Sequence, residues 1–221
     1  MKLFIKALTK FVIGLLLVGA LLFAPAGTFG YPGGWLFIGL LFIPMIFLGI
    51  VLFIKAPALL EKRLDAKEDE NTQKGVVLLS GVLFIGGFVV AGLDFRFGWS
   101  HVPMPVVIVA AVILLVSYAL YAEVMRENAY LSRTVEVQEN QKVIDTGLYG
   151  IVRHPMYAVT VWLFLSIPVV LGSWWSLLCF VHYVEVIVVR IRNEEKVLEA
   201  GLEGYSEYKK RVKYRLLPFI W

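Results

Sequence analysis

The sequence predicts an all-α, polytopic membrane helix bundle with about five to six transmembrane helices, a C-terminal helical hairpin and cytoplasmic amphipathic helices. Hydrophobic residues make up 59% of the 221 residues and charged residues 17%, below the roughly 25% of an ordinary soluble domain. Several apolar runs approach the roughly 20 residues that a helix needs to cross the hydrocarbon core. The basic residues fall in alternate connections between these runs, which is the charge pattern of a multi-pass protein.

The first four membrane helices are predicted by the apolar residues 11–24, 35–54, 76–93 and 105–122. The mixed stretch 3–10 extends the first run at its start. We interpret that run as a retained membrane helix rather than a cleaved signal peptide, because the charge alternation works best with the helix in place. The mixed-charge loop 61–74 is interpreted as a solvated connection with some helix, and we assign it no chemistry.

A longer apolar region, residues 156–189, is interrupted by Gly172 and Ser173, which predicts a helical hairpin with a tight turn. Each arm would have about 16 residues and a length of roughly 24 Å. That length is short for the hydrocarbon core, so a tilted, kinked or incompletely spanning hairpin is expected. Within the second arm, His182 and Glu185 are ionisable, and we favour a structural role for Glu185 in a pair with an arginine or tyrosine of a neighbouring helix.

The basic residues predict the topology, because cytoplasmic loops carry an excess of lysine and arginine. Of the 21 such residues, all but Arg96 lie in the N-terminus, the loop 55–74, the segment 126–153 or the tail after residue 189. Both termini are therefore expected on the cytoplasmic side. This interpretation also explains the net charge of +4 and the pI near 9.1 without a nucleic-acid partner.

Cysteine and histidine usage disfavours a redox scaffold and a metal site. Cys179 is the single cysteine of the sequence and cannot form an internal disulfide. The three histidines, His101, His154 and His182, are too scattered to form a local metal motif, so no metal ligands are predicted.

Polar residues concentrate on both sides of the hairpin, in residues 123–155 and 190–221. The first segment contains Thr-Gly-Leu-Tyr-Gly-Ile-Val-Arg-His-Pro-Met-Tyr at 146–157. Pro155 restricts His154 to an extended conformation and suits the first turn of the following helix. Taken alone, Arg153 is interpreted as a positive-inside anchor. The two segments could fold over one end of the hairpin and form a pocket that faces both water and bilayer.

The second polar segment has the pattern of an amphipathic helix. Arg190 and Glu194 would lie one turn apart on one face. An apolar stripe could pack against the membrane or the preceding segment; it consists of Leu198, Leu202 and Tyr205. Taken alone, the segment is also consistent with a solvated surface helix.

Together the motifs form a more specific pattern. They are Gly-x-Tyr-x-x-x-Arg-His-Pro-x-Tyr at 147–157, Glu-Glu-x-x-Leu at 194–198, and Tyr-Ser-Glu-Tyr-Lys-Lys-Arg-Val at 205–212 followed by Leu-Pro-Phe-Ile at 217–220. This pattern resembles the isoprenylcysteine carboxyl methyltransferase family, part of a wider group of integral-membrane methyltransferases that includes phospholipid N-methyltransferases. The resemblance covers about residues 123–221, and the first helices match only in being apolar.

The resemblance implies S-adenosylmethionine as the cofactor, held by polar segments over the cytoplasmic end of the helices. It also implies an integrated domain in which residues 1–122 form a scaffold and lipid-facing wall and residues 123–221 form the catalytic region. The implied catalytic residues are Glu194, which would hold the amino group of the cofactor, and Arg190, which would face the substrate. The implied cofactor-binding residues are Gln138, Gln141, Lys142, Val143, Ile144, Tyr149, His154, Pro155, Met156, Tyr157 and Glu194.

The chemistry of methyl transfer narrows the acceptor. Transfer from a sulfonium needs alignment of donor and acceptor more than proton transfer. A carboxylate with a reference pKa of about 3.5 is already an anion at pH 7, and Arg190 could orient it bidentately. Together with the resemblance, which implies a lipid substrate that enters from the bilayer, this favours the carboxylate of a prenylcysteine-like substrate. An amine or thiol acceptor would need a base, for which Glu194, Glu195 and His154 are candidates.

Three alternatives remain at this point. One is a phospholipid amine N-methyltransferase. Another is an NADPH-dependent membrane reductase of the sterol C14-reductase type, which ends in a segment similar to Tyr-Arg-Leu-Leu-Pro at 214–218. The third is a transporter or membrane scaffold, which the one-sided distribution of polar residues disfavours. The expected location is the plasma membrane in a prokaryote or the endoplasmic reticulum in a eukaryote, with no prediction of the oligomeric state.

Overall fold

A computed structural model describes residues 2–64, 71–131 and 137–221, except for the side chains of residue 62 and residues 71–74. The described chain is built from α-helices and one short 3-10 helix, Gly147–Gly150. The α-helices are α1 (Lys2–Ala26), α2 (Pro32–Lys55), α3 (Pro57–Leu64), α4 (Asn71–Phe97), α5 (Met104–Glu127), α6 (Pro155–Val170), α7 (Trp174–Gly201) and α8 (Tyr205–Arg211). These bounds confirm the four predicted leading helices, and α3 and the start of α4 supply the helix expected in the loop 61–74. Within that loop, residues 65–70 lie outside the described part.

The described helices form the predicted membrane bundle. Helices α1, α2, α5 and α7 and the part Gly75–Phe97 of α4 are long and apolar enough to cross a membrane. Helix α6 has 16 residues, a length of roughly 24 Å, which is less than the hydrocarbon core. The short first arm of the hairpin is therefore confirmed. Large apolar side chains cover the outside of the bundle, as expected for a surface that faces lipid.

The second arm of the hairpin is longer than predicted. Helix α7 runs without interruption for 28 residues, so the charged residues after Arg190 continue the apolar arm instead of forming a separate element. The physical reason is local, since the helix contains neither proline nor glycine before Gly201. It ends there, and Gly204 then adopts a φ of 81°. Arg190 and Glu194 are therefore held on the same rigid helix that crosses the membrane.

Two glycines allow α4 to approach its neighbours closely. A Cβ at Gly92 would lie 2.6 Å from the carbonyl oxygen of Leu22 in α1, and a Cβ at Gly87 would lie 2.5 Å from the ring of Phe180 in α7. Any side chain at these positions would force the helices apart. Helix α4 therefore lies between α1 and α7, and the buried core is centred on this contact.

A buried polar cluster fixes the turn of the hairpin. The Asp94 carboxylate accepts hydrogen bonds from the Ser100 amide at 2.7 Å and from the Ser173 hydroxyl at 2.5 Å. The Tyr31 hydroxyl donates to the carbonyl of Leu171 at 2.6 Å. These contacts join α2 and α4 to the segment between α6 and α7. Since the buried Asp94 carboxylate has hydrogen-bond partners, we assign it a structural role.

The prediction that Glu185 pairs with an arginine or tyrosine of a neighbouring helix is wrong. Its Oε2 lies 3.5 Å from Nδ1 of His182, one turn earlier on the same helix, rather than near an arginine or tyrosine of another described helix. The side chains of both residues are largely exposed, 64% for His182 and 78% for Glu185. The pair thus faces outward from the bundle.

Candidate active site

A cleft opens at the end of the bundle where α6 begins, between the segment after α5, the second half of α7, and α8. It holds about 830 Å³ of atom-free space, a figure that includes space open to solvent. Most of the predicted site residues line it: Gln141, Lys142, Val143, Ile144, Tyr149, His154, Met156, Tyr157, Arg190 and Glu194. The structure therefore brings together residues that are more than 50 positions apart in the sequence.

Two predicted residues do not line the cleft. The side-chain nitrogen of Gln138 donates to the carbonyl of Tyr130 at 2.5 Å, and its backbone amide donates to the side chain of Gln141 at 2.9 Å. Gln138 therefore shapes the turn behind the cleft. Pro155 is buried at the first position of α6, where its fixed φ begins the helix. Its position orients the neighbouring His154 and Met156, which do line the cleft.

Inside the cleft, Tyr157 joins the two predicted catalytic residues. Its hydroxyl donates to Oε2 of Glu194 at 2.5 Å and accepts from Nε of Arg190 at 2.8 Å. The guanidinium carbon of Arg190 also lies 6.0 Å from the centre of the Tyr157 ring. The sequence predicted all three residues for the site but not this connection. One buried tyrosine thus sets the relative position of a cation and a carboxylate.

A buried ion cluster borders the cleft and is centred on Glu195, which is 3% exposed. Its Oε1 accepts from Nε of Arg153 at 2.8 Å and lies 3.3 Å from Nε2 of His154, and its Oε2 accepts from Nε of Arg215 at 2.9 Å. The interpretation of Arg153 as a positive-inside anchor is wrong, since this side chain is buried and paired. The ion pair with Glu195 restrains the Arg153 side chain, which contact with water alone would not do.

Beside the ion cluster, hydrogen bonds join the residues that precede α6 to the C-terminal tail. The amides of Arg153 and His154 donate to the carbonyls of Tyr214 and Arg215, each at 2.9 Å. The Arg153 guanidinium adds bonds to the carbonyls of Val212 and Lys213 at 2.7 and 2.8 Å. The C-terminal tail therefore closes the back of the cleft by pairing with the residues that precede α6.

Helical geometry explains how sequence reasoning missed the cluster. We considered Glu195 only as a base, although adjacent residues of a helix point about 100° apart. As a result, the Glu194 carboxylate faces the cleft and the Glu195 carboxylate faces the protein interior. The two adjacent glutamates, Glu194 and Glu195, are the sequence feature that could have indicated a buried partner for Arg153.

The 3-10 helix that carries Tyr149 is positioned by Glu127 at the end of α5. The Glu127 carboxylate accepts from the Thr146 hydroxyl at 3.1 Å and from the Leu148 amide at 3.2 Å. It lies against Gly147, which has a φ of 50° and where a Cβ would displace the Glu127 carboxylate. The positive φ favours glycine at this position. The resulting turn directs the Tyr149 hydroxyl to the Asn128 side chain, which donates to it at 3.0 Å.

Replacement of Gly147 by alanine is expected to destabilise the protein by about 1–3 kcal/mol from the backbone conformation alone, and further by displacement of Glu127. The measurement is equilibrium unfolding in detergent micelles. Gly98→Ala is the matched control, because Gly98 has a similar φ of 66° with open space around its Cβ position. An equal loss of stability in the two variants would contradict the proposed contact with Glu127.

Tyr205 has a buried hydroxyl with no hydrogen-bond partner in the described part of the chain. The residue lines the cleft. Burial, followed by the nearby Glu195 and Glu194 carboxylates, raises the pKa of the Tyr205 hydroxyl well above its usual value. The hydroxyl is therefore a neutral donor. An orphaned donor of this kind in a cleft is suited to an acceptor atom of a ligand.

The apolar stripe of the second polar segment packs inward rather than on the membrane. Leu202 and Tyr205 belong to a buried cluster with Tyr208 and Val212, against which Val137 and Val143 of the preceding segment pack. The structure thus selects the second of the two predicted locations. It also gives the cleft an apolar wall beside its charged residues.

Helix α3 adds a cation that we did not predict for the site. Nη1 of Arg63 lies 3.8 Å from Sδ of Met156, and its guanidinium carbon lies 5.4 Å from the centre of the Tyr121 ring. The sequence of the loop 61–74 indicates no chemistry for this residue. The tertiary structure thus places Arg63 beside a residue of the cleft.

Comparison with known proteins relates the cleft to two groups. A segment of 91 residues is 28% identical to the Delta(14)-sterol reductase of Mus musculus, and it covers 40% of this chain and 22% of the reductase. The chain thus aligns with about a fifth of that longer protein. Residues 105–203 match the model of the phospholipid methyltransferase family. The matched segment contains the motif 147–157, Arg190 and Glu194.

Proposed function

We propose that this protein is an S-adenosylmethionine-dependent methyltransferase whose lipophilic acceptor enters the cleft from the bilayer. The observation that carries the proposal is the arrangement of Arg190, Tyr157 and Glu194 in the cleft, within the segment that matches the methyltransferase family. The charge distribution of the sequence further supports a location of the cleft at the cytoplasmic face.

The chemistry of the cleft fits S-adenosylmethionine. Glu194 would hold the amino group of the cofactor, because a carboxylate is the natural partner of an ammonium group. The orphaned Tyr205 hydroxyl would donate to one of its acceptor atoms. The apolar wall that includes Val143, Leu198 and Leu202 would pack against its uncharged part. These are proposed roles, and together they account for the charged, polar and apolar lining.

When bound, the cofactor supplies the methyl group. The residues of the chain would position the acceptor and exclude water, because the neutral thioether that leaves the sulfonium needs no proton. Arg190 would orient an anionic acceptor, and the bond from Arg190 to Tyr157 would hold the guanidinium in place. The same hydroxyl donates to Glu194. Tyr157 would thereby keep the acceptor site and the donor site in one fixed relation.

For the acceptor we propose a carboxylate, as in a prenylcysteine-like substrate. Two arginines support an anionic group near the cleft, since Arg63 reaches Met156 from α3 and Arg190 lines the cleft itself. A carboxylate also needs no base. Among the bases suggested for an amine, Glu195 is buried and bonded to Arg153 and Arg215. A phospholipid amine is the second candidate acceptor, and the match to the phospholipid methyltransferase family favours it.

Cofactor binding tests this proposal against the reductase alternative, which the match to the sterol reductase favours. S-adenosylhomocysteine at 100 times its dissociation constant is expected to stabilise the detergent-purified protein by about 2.7 kcal/mol. For a chain of this size, that corresponds to a rise in Tm of roughly 5–10 °C. NADPH is expected to have no effect. Stabilisation by NADPH without an effect of S-adenosylhomocysteine would overturn the proposal and favour the reductase.

A further inference from the structure

The pair of His182 and Glu185 lies within the apolar part of α7, a helix long and apolar enough to cross a membrane. At 1.5 Å per residue, the two positions are roughly 12 and 16 Å along α7 from its first residue, Trp174. The adjacent Tyr183 contacts Phe164 of α6 and Phe84 of α4, with ring centres 4.8 and 5.3 Å apart. Both phenylalanines lie near the middle of their own helices. In a membrane crossed by α7, the pair would therefore lie within the hydrocarbon core.

The face of α7 that carries this pair points away from the bundle. It consists of exposed residues at alternating spacings of three and four: Trp175, Leu178, His182, Glu185 and Val189. The spacing is that of a helix-packing seam. Apart from its ends, the seam would contact lipid tails, which offer no hydrogen bonds to an imidazole or a carboxylate. Ionisable groups at such depth are costly and normally have a protein partner.

We propose that this face of α7 is the interface of a homodimer, in which His182 of each copy pairs with Glu185 of the other. Two copies in one membrane share the same orientation, so a twofold axis parallel to the membrane normal places the same residues at the same depth. The twofold axis then forms the contact between His182 of one copy and Glu185 of the other twice, so the same face of α7 is complementary to itself. The bond within the helix, at 3.5 Å, leaves the outer sides of both groups available.

Cysteine cross-linking in lipid bilayers tests the position of the interface. In a Cys179→Ala background, Leu178→Cys on the seam is expected to form a disulfide-linked dimer on oxidation. Leu78→Cys on α4 is the matched control, since both leucines are exposed, at 71% for Leu78 and 56% for Leu178. Equal cross-linking of the two variants would indicate random collisions and overturn the proposal.

The self-association constant tests the role of the polar pair. Glu185→Leu is expected to weaken dimerisation in bilayers roughly fivefold to tenfold, because two interhelical hydrogen bonds are lost. The double variant His182→Glu with Glu185→His exchanges the two residues and keeps them complementary, so its self-association constant is expected to equal that of the wild type. A wild-type protein that is monomeric in bilayers would overturn the proposal, as would an unchanged dissociation constant for Glu185→Leu. The inference does not depend on the proposed methyltransferase activity.

Discussion

Replacement of Glu195 by alanine is expected to lower the free energy of unfolding by about 3–5 kcal/mol, the usual loss when one partner of a buried ion pair is removed. Without this carboxylate, the buried Arg153 keeps its positive charge and loses its counter-ion. Arg215 loses its partner as well. The measurement is equilibrium unfolding of the purified protein in detergent micelles.

Two variants sharpen this test. Glu199→Ala removes a glutamate one turn further along α7 that pairs with Lys209 at a solvent-exposed position, and it is expected to cost less than about 1 kcal/mol. Glu195→Gln retains the side-chain shape and removes the charge, so its stability should lie closer to that of the alanine variant than to wild type. A stability of Glu195→Ala similar to that of Glu199→Ala would contradict the central position of Glu195 in the fold.

Replacement of Glu194 by alanine is expected to weaken binding of S-adenosylmethionine about 100-fold. The corresponding free energy is about 2.7 kcal/mol, within the 2–5 kcal/mol typical for loss of a charged hydrogen-bond partner. The measurement is isothermal titration calorimetry. The fold should be retained, because Glu194 bonds to Tyr157 at the cleft surface and the buried ion cluster depends on Glu195 instead.

Glu203→Ala is the control for this measurement, since Glu203 is exposed just beyond α7 and should leave binding unchanged. Tyr157→Phe removes the hydroxyl that joins Arg190 to Glu194 but keeps the ring. Its effect on binding is expected to be about tenfold, because the Glu194 carboxylate loses the hydroxyl donor that positions it. Wild-type affinity of the Glu194→Ala protein would remove this carboxylate from the cofactor site.

The local properties of the chain determined the helices. Long apolar runs are helical in a membrane because every backbone polar group must be bonded within its own segment. The sequence predicted four leading helices and the hairpin on this basis, and the structure confirms them. It also contained the motif 147–157 and the helical spacing of Arg190 and Glu194, both of which lie at the cleft. Where a helix boundary depended on charge rather than on glycine or proline, as at Arg190, the prediction was wrong.

The sequence by itself determined which segments enter the membrane and which short motifs carry polar chemistry, because periodicity, helix length and helix-breaking residues act within a few positions. Tertiary packing alone decided that Arg153 is buried against Glu195, that Tyr157 joins Arg190 to Glu194, and that Arg63 lies beside Met156. These contacts connect residues 33 to 93 positions apart. Their existence depends on how the helices pack, and no local pattern of side chains encodes that arrangement.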